Sequence, residues 1–121
     1  MSLPVLLAVG VVGGLGAIAR FELDGAVGAR LGRDLPFGTL VVNVTGALAL
    51  GVLSGVALTG DAYRIAGTGF VGAFTTFSTW MFESHRLGED GRLPAGALNI
   101  VVSLALGLGA AWLGRRIGAA F

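Results

Sequence analysis

The sequence predicts an all-α membrane protein in which each chain crosses the bilayer four times. The chain of 121 residues is 55% hydrophobic but only 12% charged, with a mean hydropathy of +0.86, whereas a soluble domain carries about twice that share of charge. The charged residues also divide the chain into four apolar runs, each close to the roughly 20 residues that a helix needs to span a membrane. The expected spans, within a single domain over residues 1–121, are about 3–20, 37–58, 65–83 and 94–114.

The composition excludes several kinds of site and partner. The chain has no cysteine, and His85 is its only histidine. Disulfides, thiol nucleophiles and a zinc site are therefore excluded. The net charge is +1, and the eight basic side chains, all arginines, are scattered along the chain. Because nucleic-acid binding needs a basic patch, we expect no nucleic-acid partner.

The first span ends at Arg20. The stretch Ala17–Ala19 is similar to a signal-peptide cleavage site, but no basic residue precedes the span, and Pro4 with several glycines makes a poor signal core. We therefore expect the span to be retained. Arg20 is either a snorkelling anchor or a fixed positive charge near a pore mouth, and residues 21–36 are predicted to form a polar interfacial loop.

The second span is predicted to end before Gly60 and Asp61, and it carries polar groups on one face. Thr39, Asn43 and Gly46 are spaced at i, i+4 and i+7, which places them on the same side of a helix. Asn43 has two N–H donors and no charge. It either donates to a bound ligand or joins two helices by a hydrogen bond, and the spacing alone leaves both interpretations open.

The third span contains the most unusual segment of the chain, residues 69–80, which combines hydroxyl and aromatic side chains. Its four clustered hydroxyls, which cannot all lie on one face of a regular helix, are Thr75, Thr76, Ser78 and Thr79. We therefore predict that the third helix is broken mid-span. A break frees backbone carbonyls, which suit a hard cation, and creates a half-helix N-terminus, which favours an anion.

Aromatic residues recur every three positions in the same segment, at Phe74, Phe77 and Trp80. We expect them to share one side of the surviving helix. The edge of an aromatic ring carries partial positive charge. Rings presented edge-on beside amide and hydroxyl donors suit a small anion, without a buried cation that would trap it. The alternative is that the three rings are ordinary packing residues.

A charged loop is predicted from Glu83 to Arg92, and the fourth span follows with Pro94 in its first turn. Asn99 and Ser103 are spaced at i and i+4 in this span and form a second polar stripe facing the interior. Small residues four apart allow helices to pack closely in lipid. Glycine pairs with this spacing, although common by chance in a glycine-rich chain, predict such contacts at Gly10 and Gly14, Gly51 and Gly55, and Gly114 and Gly118.

No carboxylate lies inside the first, second or fourth span. Proton-coupled transporters generally need an ionisable group within the membrane, so a passive pore is favoured. One alternative is a small dual-topology exporter of organic cations that is driven by protons and relies on Glu83. Another is a membrane scaffold whose polar stripes only join helices.

Arginine counts give the chain only a weak orientation bias. Three arginines fall on the side of the termini and the second loop, and five fall on the opposite side. A chain with so small a bias can insert in both directions. Two copies in opposite orientations can then pair about a two-fold axis in the membrane plane.

Three stretches together resemble the Fluc (CrcB) family of fluoride channels. They are Gly13–Arg20, Gly38–Gly46 and Gly69–Thr79, and their order and spacing fit across all four spans. The resemblance implies a fluoride-selective channel, not an enzyme, that passively exports fluoride from the cytoplasm across the cell inner (plasma) membrane. It also implies an antiparallel homodimer with two fluoride pathways, in agreement with the weak arginine bias.

The resemblance also implies roles for individual residues. A structural Na⁺ is implied at the dimer centre, held by the backbone carbonyls of Gly72 and Thr75 from each subunit. The residues implied along the anion pore are Asn43, Phe77, Trp80, Thr39, Ser78, Thr79, Ser103, Arg20 and Glu83.

The chain departs from the family pattern at three positions. Trp80 stands where the family usually has the second phenylalanine of its aromatic box, and its indole N–H is a stronger donor than a ring edge. Asn99 stands where relatives often carry a tyrosine, and Met81 where they often carry a small polar residue. These departures bear on the pore rate and on the local geometry of the anion.

Overall fold

A computed structural model describes all residues from 1 to 121, and its regular structure is entirely helical, as predicted. Helix α3 occupies residues 60–74 and is α-helical at Gly60–Tyr63 and Gly72–Phe74 but π-helical at Arg64–Val71. The other helices are α1 (Leu3–Leu31), α2 (Phe37–Gly55), α4 (Phe77–Glu89) and α5 (Leu93–Ala119).

Three of the helices, α1, α2 and α5, are long and apolar enough to cross a membrane on their own. The third crossing is assembled differently, from α3 and α4, which are separated by two non-helical residues, Thr75 and Thr76. Neither half reaches the roughly 20 residues that a span requires. The chain thus consists of three continuous helices and one crossing made of two half-helices.

Lipid, and not water, is the solvent that suits the outer surface of this bundle. Only 18 of the 121 residues are buried, and large apolar side chains such as Leu7, Val11 and Trp112 are more than half exposed. A monomer in water rarely exposes continuous apolar surface on this scale. The most buried large side chain is Val42, at 1% exposure, on the face of α2 that carries Thr39 and Asn43.

Two predicted loops are wrong because the helices continue through them. Helix α1 runs to Leu31, so most of the predicted loop at residues 21–36 is helical, and α4 runs to Glu89 through most of the predicted loop at 83–92. Charged side chains are compatible with a helix that extends beyond the hydrocarbon. The helices stop instead beside Gly32 and Gly91, whose φ angles of 78° and 76° lie in the region that glycine adopts without steric cost.

The boundary between the second and third spans also differs from the prediction. Helix α2 ends at Gly55, and a turn with Ala57 at a φ of 58° leads into α3. Gly60 and Asp61 therefore begin the third span and do not close the second. Asp61 lies in the first turn of α3, where a negative charge is favourable, and it pairs with Arg64 at 2.8 Å.

The glycine pairs in α2 and α5 form the closest helix contact of the bundle. An added Cβ at Gly51 or Gly55 would meet the carbonyl oxygen of Ala111 or Arg115 on α5. The contact is reciprocal, because a Cβ at Gly114 or Gly118 would meet a carbonyl oxygen of α2. These four glycines confirm the predicted packing motif.

The glycine pair in α1 does not make the predicted contact. An added Cβ at Gly10 or Gly14 would meet nothing within 4 Å. Helix α1 instead approaches α3 through Gly13 and Gly16, since a Cβ at Gly16 would meet the carbonyl oxygen of Phe70. Helix α1 carries glycines on several sides, and the four-residue spacing identified a pair on a side that makes no close contact.

The glycine contact predicts a stability difference between two similar substitutions. We expect Gly114→Ala to lower the free energy of unfolding by about 1–3 kcal/mol, because the new methyl group meets the immobile backbone of α2. Unfolding of the purified protein in detergent micelles measures the change.

Gly109→Ala on the same helix is the matched control, since its Cβ would meet nothing within 4 Å. Alanine has a higher helix propensity than glycine by about 1 kcal/mol, so this control should be neutral or stabilising. Equal destabilisation by both variants would contradict the packing described for α2 and α5.

Candidate functional site

The break between α3 and α4 consists of two residues in extended conformation. Thr75 has φ and ψ of −86° and 161°, and Thr76 has −146° and 123°. Both residues are β-branched, a side-chain type that favours this region of conformational space. The interruption exposes backbone groups at membrane depth, where each unpaired group costs free energy.

Asn43 on α2 pairs with the backbone of the break at Thr76. Its amide nitrogen donates to the Thr76 carbonyl oxygen at 2.8 Å, and its carbonyl oxygen accepts from the Thr76 N–H, also at 2.8 Å. One carboxamide thus satisfies both polar groups of one peptide residue. Of the two roles open for Asn43, the structure shows the interhelical hydrogen bond, which leaves one amide N–H unassigned.

The two threonines of the break also satisfy neighbouring backbone groups. Thr76 is the N-cap of α4, because its hydroxyl oxygen accepts from the Thr79 N–H at 3.2 Å. The Thr76 O–H donates to the Thr79 hydroxyl oxygen at 3.1 Å. The Thr75 hydroxyl donates to the Val71 carbonyl at 3.0 Å, and its methyl group lies against Gly46, where any Cβ would collide with it. Gly46 thus lets the break approach α2.

Two cavities lie on either hand of the break and share one lining residue, Thr76. The aromatic cavity, of about 380 Å³, lies between α2, the break and α5, and its polar and aromatic lining consists of Asn43, Thr75, Thr76, Phe77, Trp80 and Ser103. The arginine cavity, of about 250 Å³, lies against α1 and is lined by Ala17, Arg20, Phe21, Asp24, Thr39, Val42, Thr76 and Thr79. Thr76 is the residue that the two cavities share.

The predicted stripe of three aromatic rings is only partly correct. Phe77 and Trp80 are neighbours on α4, with ring centroids 5.7 Å apart and planes at 90°, in the edge-to-face arrangement that aromatic pairs prefer. Phe74 is separate from them: it is buried at 8% exposure and stacks on Phe70 within α3. Two extended residues separate Phe74 from Phe77, so the helical period is interrupted and a spacing of three no longer keeps the rings on one side.

The side chains of Trp80 and Asn99 belong to a network between α4 and α5. The Trp80 indole N–H donates to the backbone carbonyl oxygen of Asn99 at 3.3 Å. The side-chain amide of Asn99 donates to the Ser84 hydroxyl at 2.8 Å. Ser84 in turn donates to the Trp80 carbonyl at 2.8 Å, and Ser103 donates to the Asn99 side-chain oxygen at 3.4 Å. Sequence reasoning missed Ser84, a buried hydroxyl one turn after Trp80 inside the supposed loop.

The remaining predicted residues occupy different surroundings. Ser78 is exposed, with its hydroxyl 3.4 Å from that of Thr76. Arg20 lines the arginine cavity, as do the buried Thr39 and the partly buried Thr79. Glu83 lies outside both cavities, in a third one of about 260 Å³ that also contains Arg33 and Arg86, and one of its carboxylate oxygens is buried without a hydrogen-bond partner.

The break leaves carbonyl groups of α3 without their helical donors. In an uninterrupted helix the Gly72 carbonyl would accept from the Thr76 N–H and the Thr75 carbonyl from the Thr79 N–H. Here the Thr76 N–H bonds to Asn43 and the Thr79 N–H to the Thr76 hydroxyl. These two carbonyls, where the family resemblance implies a Na⁺ site, therefore lack their helical donors.

Opposite partial charges meet at the break. The C-terminal end of α3 presents carbonyl oxygens and partial negative charge, while the N-terminus of α4 presents N–H groups and partial positive charge. No titratable side chain lines the aromatic cavity. Its walls therefore offer neutral donors, aromatic edges and a helix N-terminus, a combination that interacts with an anion without a full opposite charge.

Comparison with known proteins gives a consistent set of relatives. A family model described as "CrcB-like protein, Camphor Resistance (CrcB)" matches residues 7–115. A protein of Mycobacterium tuberculosis (strain ATCC 25618 / H37Rv) named "Fluoride-specific ion channel FluC 2" is 53% identical over 117 residues, which cover 97% of this chain and 93% of the relative. A protein of Geobacter sulfurreducens named "Fluoride-specific ion channel FluC" is 43% identical over 114 residues, covering 90% and 92%.

The pairing of Asn43 with Thr76 predicts that Asn43 holds the break in place. We expect Asn43→Leu to leave both polar groups of a buried residue unpaired and to lower the free energy of unfolding by about 2–4 kcal/mol. Amide hydrogen exchange at Thr76 and Thr79 in detergent should accelerate at the same time.

Thr45→Val is the matched control on the same helix, because the exposed Thr45 hydroxyl bonds only to the Val41 carbonyl of its own helix. If exchange at Thr76 were as slow in Asn43→Leu as in Thr45→Val, the carboxamide would not be what holds the break.

Proposed function

Because the chain belongs to the CrcB-like family, we propose that it is a fluoride-selective channel that lets fluoride leave the cytoplasm passively, down its electrochemical gradient. The family match over residues 7–115 and relatives named as fluoride-specific channels at up to 53% identity support this proposal. The protein is a multi-pass membrane protein, of the plasma membrane in bacteria, and not an enzyme.

The observation that carries the proposal is the aromatic cavity beside the break. It presents an amide, hydroxyls and an edge-to-face aromatic pair, with no charged side chain among its lining residues. A channel must bind its ion strongly enough to replace hydration but weakly enough to release it. Neutral donors meet both conditions better than an arginine or lysine at the same place.

We place the anion path along the two cavities and through their junction at Thr76. On the arginine cavity side, Arg33 pairs with the Asp24 carboxylate at 3.4 Å, so the charge of Arg20 attracts anions to the entrance. The hydroxyls of Thr39 and Thr79 follow. On the aromatic cavity side, the path passes Ser103 and the unassigned N–H of Asn43. On α4, Phe77 and Trp80 line the path. Ser78 and Glu83 line neither cavity, so we place them beside the path.

A second copy of the chain in antiparallel orientation completes this site. Phe77 lines the aromatic cavity yet is 69% exposed in the single chain, and Gly72 at the end of α3 is exposed as well. Pairing about a two-fold axis in the membrane plane covers both and gives two pathways per dimer. Labels on the N-terminus should be reached from both sides of the membrane, and labelling from one side only would contradict the arrangement.

A structural Na⁺ on the two-fold axis fits the carbonyls at the break. The carbonyl oxygens of Gly72 and Thr75 lack helical donors, and oxygen ligands suit a hard cation. Two such groups from each subunit would hold the ion without any carboxylate. The ion would neutralise the negative ends of the two α3 helices and fix the positions of both breaks.

The proposal predicts fluoride efflux from liposomes that contain the purified protein. We expect fast fluoride efflux without a proton gradient and much slower chloride efflux, followed with ion-selective electrodes. Phe77→Leu should reduce fluoride flux at least tenfold, because an aliphatic side chain lacks the positive edge of the ring.

Phe37→Leu is the control, since Phe37 is also partly exposed but lines neither cavity of the break. Fluoride flux unchanged by both substitutions would refute the pore assignment. Transport that required a proton gradient would instead favour an exporter that depends on Glu83.

A further inference from the structure

We propose that two hydrogen-bond donors are withdrawn from the aromatic cavity at position 99. The backbone carbonyl of Asn99 binds the Trp80 indole N–H, and the Asn99 side chain acts as a positioning residue by binding the Ser103 hydroxyl. The inference rests on the proposed function, because these are donors that an anion in the cavity would otherwise use. It gives a role to Asn99 and to Trp80, two positions at which the chain departs from the family pattern.

The Trp80 donor is directed toward the backbone of α5. Trp80 lines the aromatic cavity with its ring, yet its only side-chain donor bonds to the backbone carbonyl oxygen of Asn99 at 3.3 Å. Indole nitrogen carries one N–H and no acceptor, so this bond uses its entire hydrogen-bonding capacity. Trp80 therefore contributes ring surface to the cavity, and its ring is held at 90° to that of Phe77.

The Ser103 donor is directed toward the Asn99 side chain. Ser84 donates its hydroxyl proton to the Trp80 carbonyl, so it can only accept from Asn99, which turns the Asn99 amide nitrogen toward Ser84. The Asn99 side-chain oxygen consequently faces Ser103 and accepts its proton at 3.4 Å. Ser103 is buried at 8% exposure and lines the cavity, so an anion in the cavity can reach its hydroxyl.

With these two donors withdrawn, neither the α5 wall, through Ser103, nor the Trp80 side chain on α4 presents a free polar hydrogen to the cavity. The donors that remain are the unassigned amide N–H of Asn43 on α2 and the ring edge of Phe77 on α4. A 3.4 Å hydroxyl contact is long and weak, so an arriving anion can recruit the Ser103 proton at a modest cost. Asn99 thus weakens anion binding at this wall, and weaker binding favours release.

A double-mutant comparison in liposomes tests whether Asn99 withdraws the Ser103 hydroxyl. Asn99→Ala removes the competing acceptor and should lower the fluoride concentration of half-maximal flux about three- to tenfold, the size expected for one hydrogen bond. In a Ser103→Ala background the same substitution should have no such effect. A shift of equal size in both backgrounds, or no shift in a variant that melts like the parent protein, would overturn the proposal.

Leu87→Ala is the control for Asn99→Ala. Leu87 is buried where α4 packs on α5 beside Gly96, so the substitution loosens this helix contact but keeps the side chains of Ser84, Asn99 and Ser103. We expect its half-maximal fluoride concentration to stay within about twofold of the parent. A shift as large as that of Asn99→Ala would mean that loosening of the helix contact, and not release of the Ser103 donor, is responsible.

An NMR measurement tests the hydrogen bond of the Trp80 indole without any transport assay. The chain has two tryptophans, so Trp112→Phe leaves Trp80 as the only indole. Its N–H proton should exchange slowly with water and keep its chemical shift when fluoride is added. Rapid exchange, or a large downfield shift with fluoride, would overturn the assignment. If liposomes that contain the unsubstituted protein pass no fluoride, the proposed function is refuted. The rate of indole exchange would still test the hydrogen bond between Trp80 and the Asn99 backbone.

Discussion

The pair of hydrogen bonds between the Asn43 carboxamide and the Thr76 backbone is the constraint on which the rest of the structure depends. A polypeptide can leave helical conformation at membrane depth only if its backbone groups find partners. A carboxamide supplies a donor and an acceptor at once, so one side chain meets the needs of one extended residue. Asn43 satisfies Thr76 alone, which leaves the carbonyls of Gly72 and Thr75 without helical donors.

Glycines on two sides of α2 allow close contacts that fix its position. Gly46 admits the methyl group of Thr75, while Gly51 and Gly55 admit the backbone of α5. Asn43 therefore has a defined distance both to the break and to the α5 wall that carries Ser103. The width of the aromatic cavity follows from these contacts, because any added Cβ would separate α2 from one of its neighbours.

The sequence alone predicts where a regular helix cannot form, but it does not predict how the helices contact one another. Clustered hydroxyls at 75–79 contradict a regular helix, so the interruption could be expected from sequence alone. The helix ends could not, because charge marks the membrane boundary while Gly32 and Gly91 mark where the backbone turns. Phe74 was assigned to the wrong face because the break changes the periodicity on which the assignment rested. Ser84 acquires its role only when α4 packs on α5.

The arginine cavity has an electrical consequence. Arg20 and Asp24 line a space that reaches inward along α1 to Thr76, so water and ions entering it carry the potential of the adjoining solution into the protein. A voltage across the membrane acts on an ion only where the potential changes, at about 2.3 kcal/mol per charge and 100 mV for the full drop. In the proposed channel most of that drop would fall across the short stretch around Thr76, and the field there would be steeper than in the surrounding lipid.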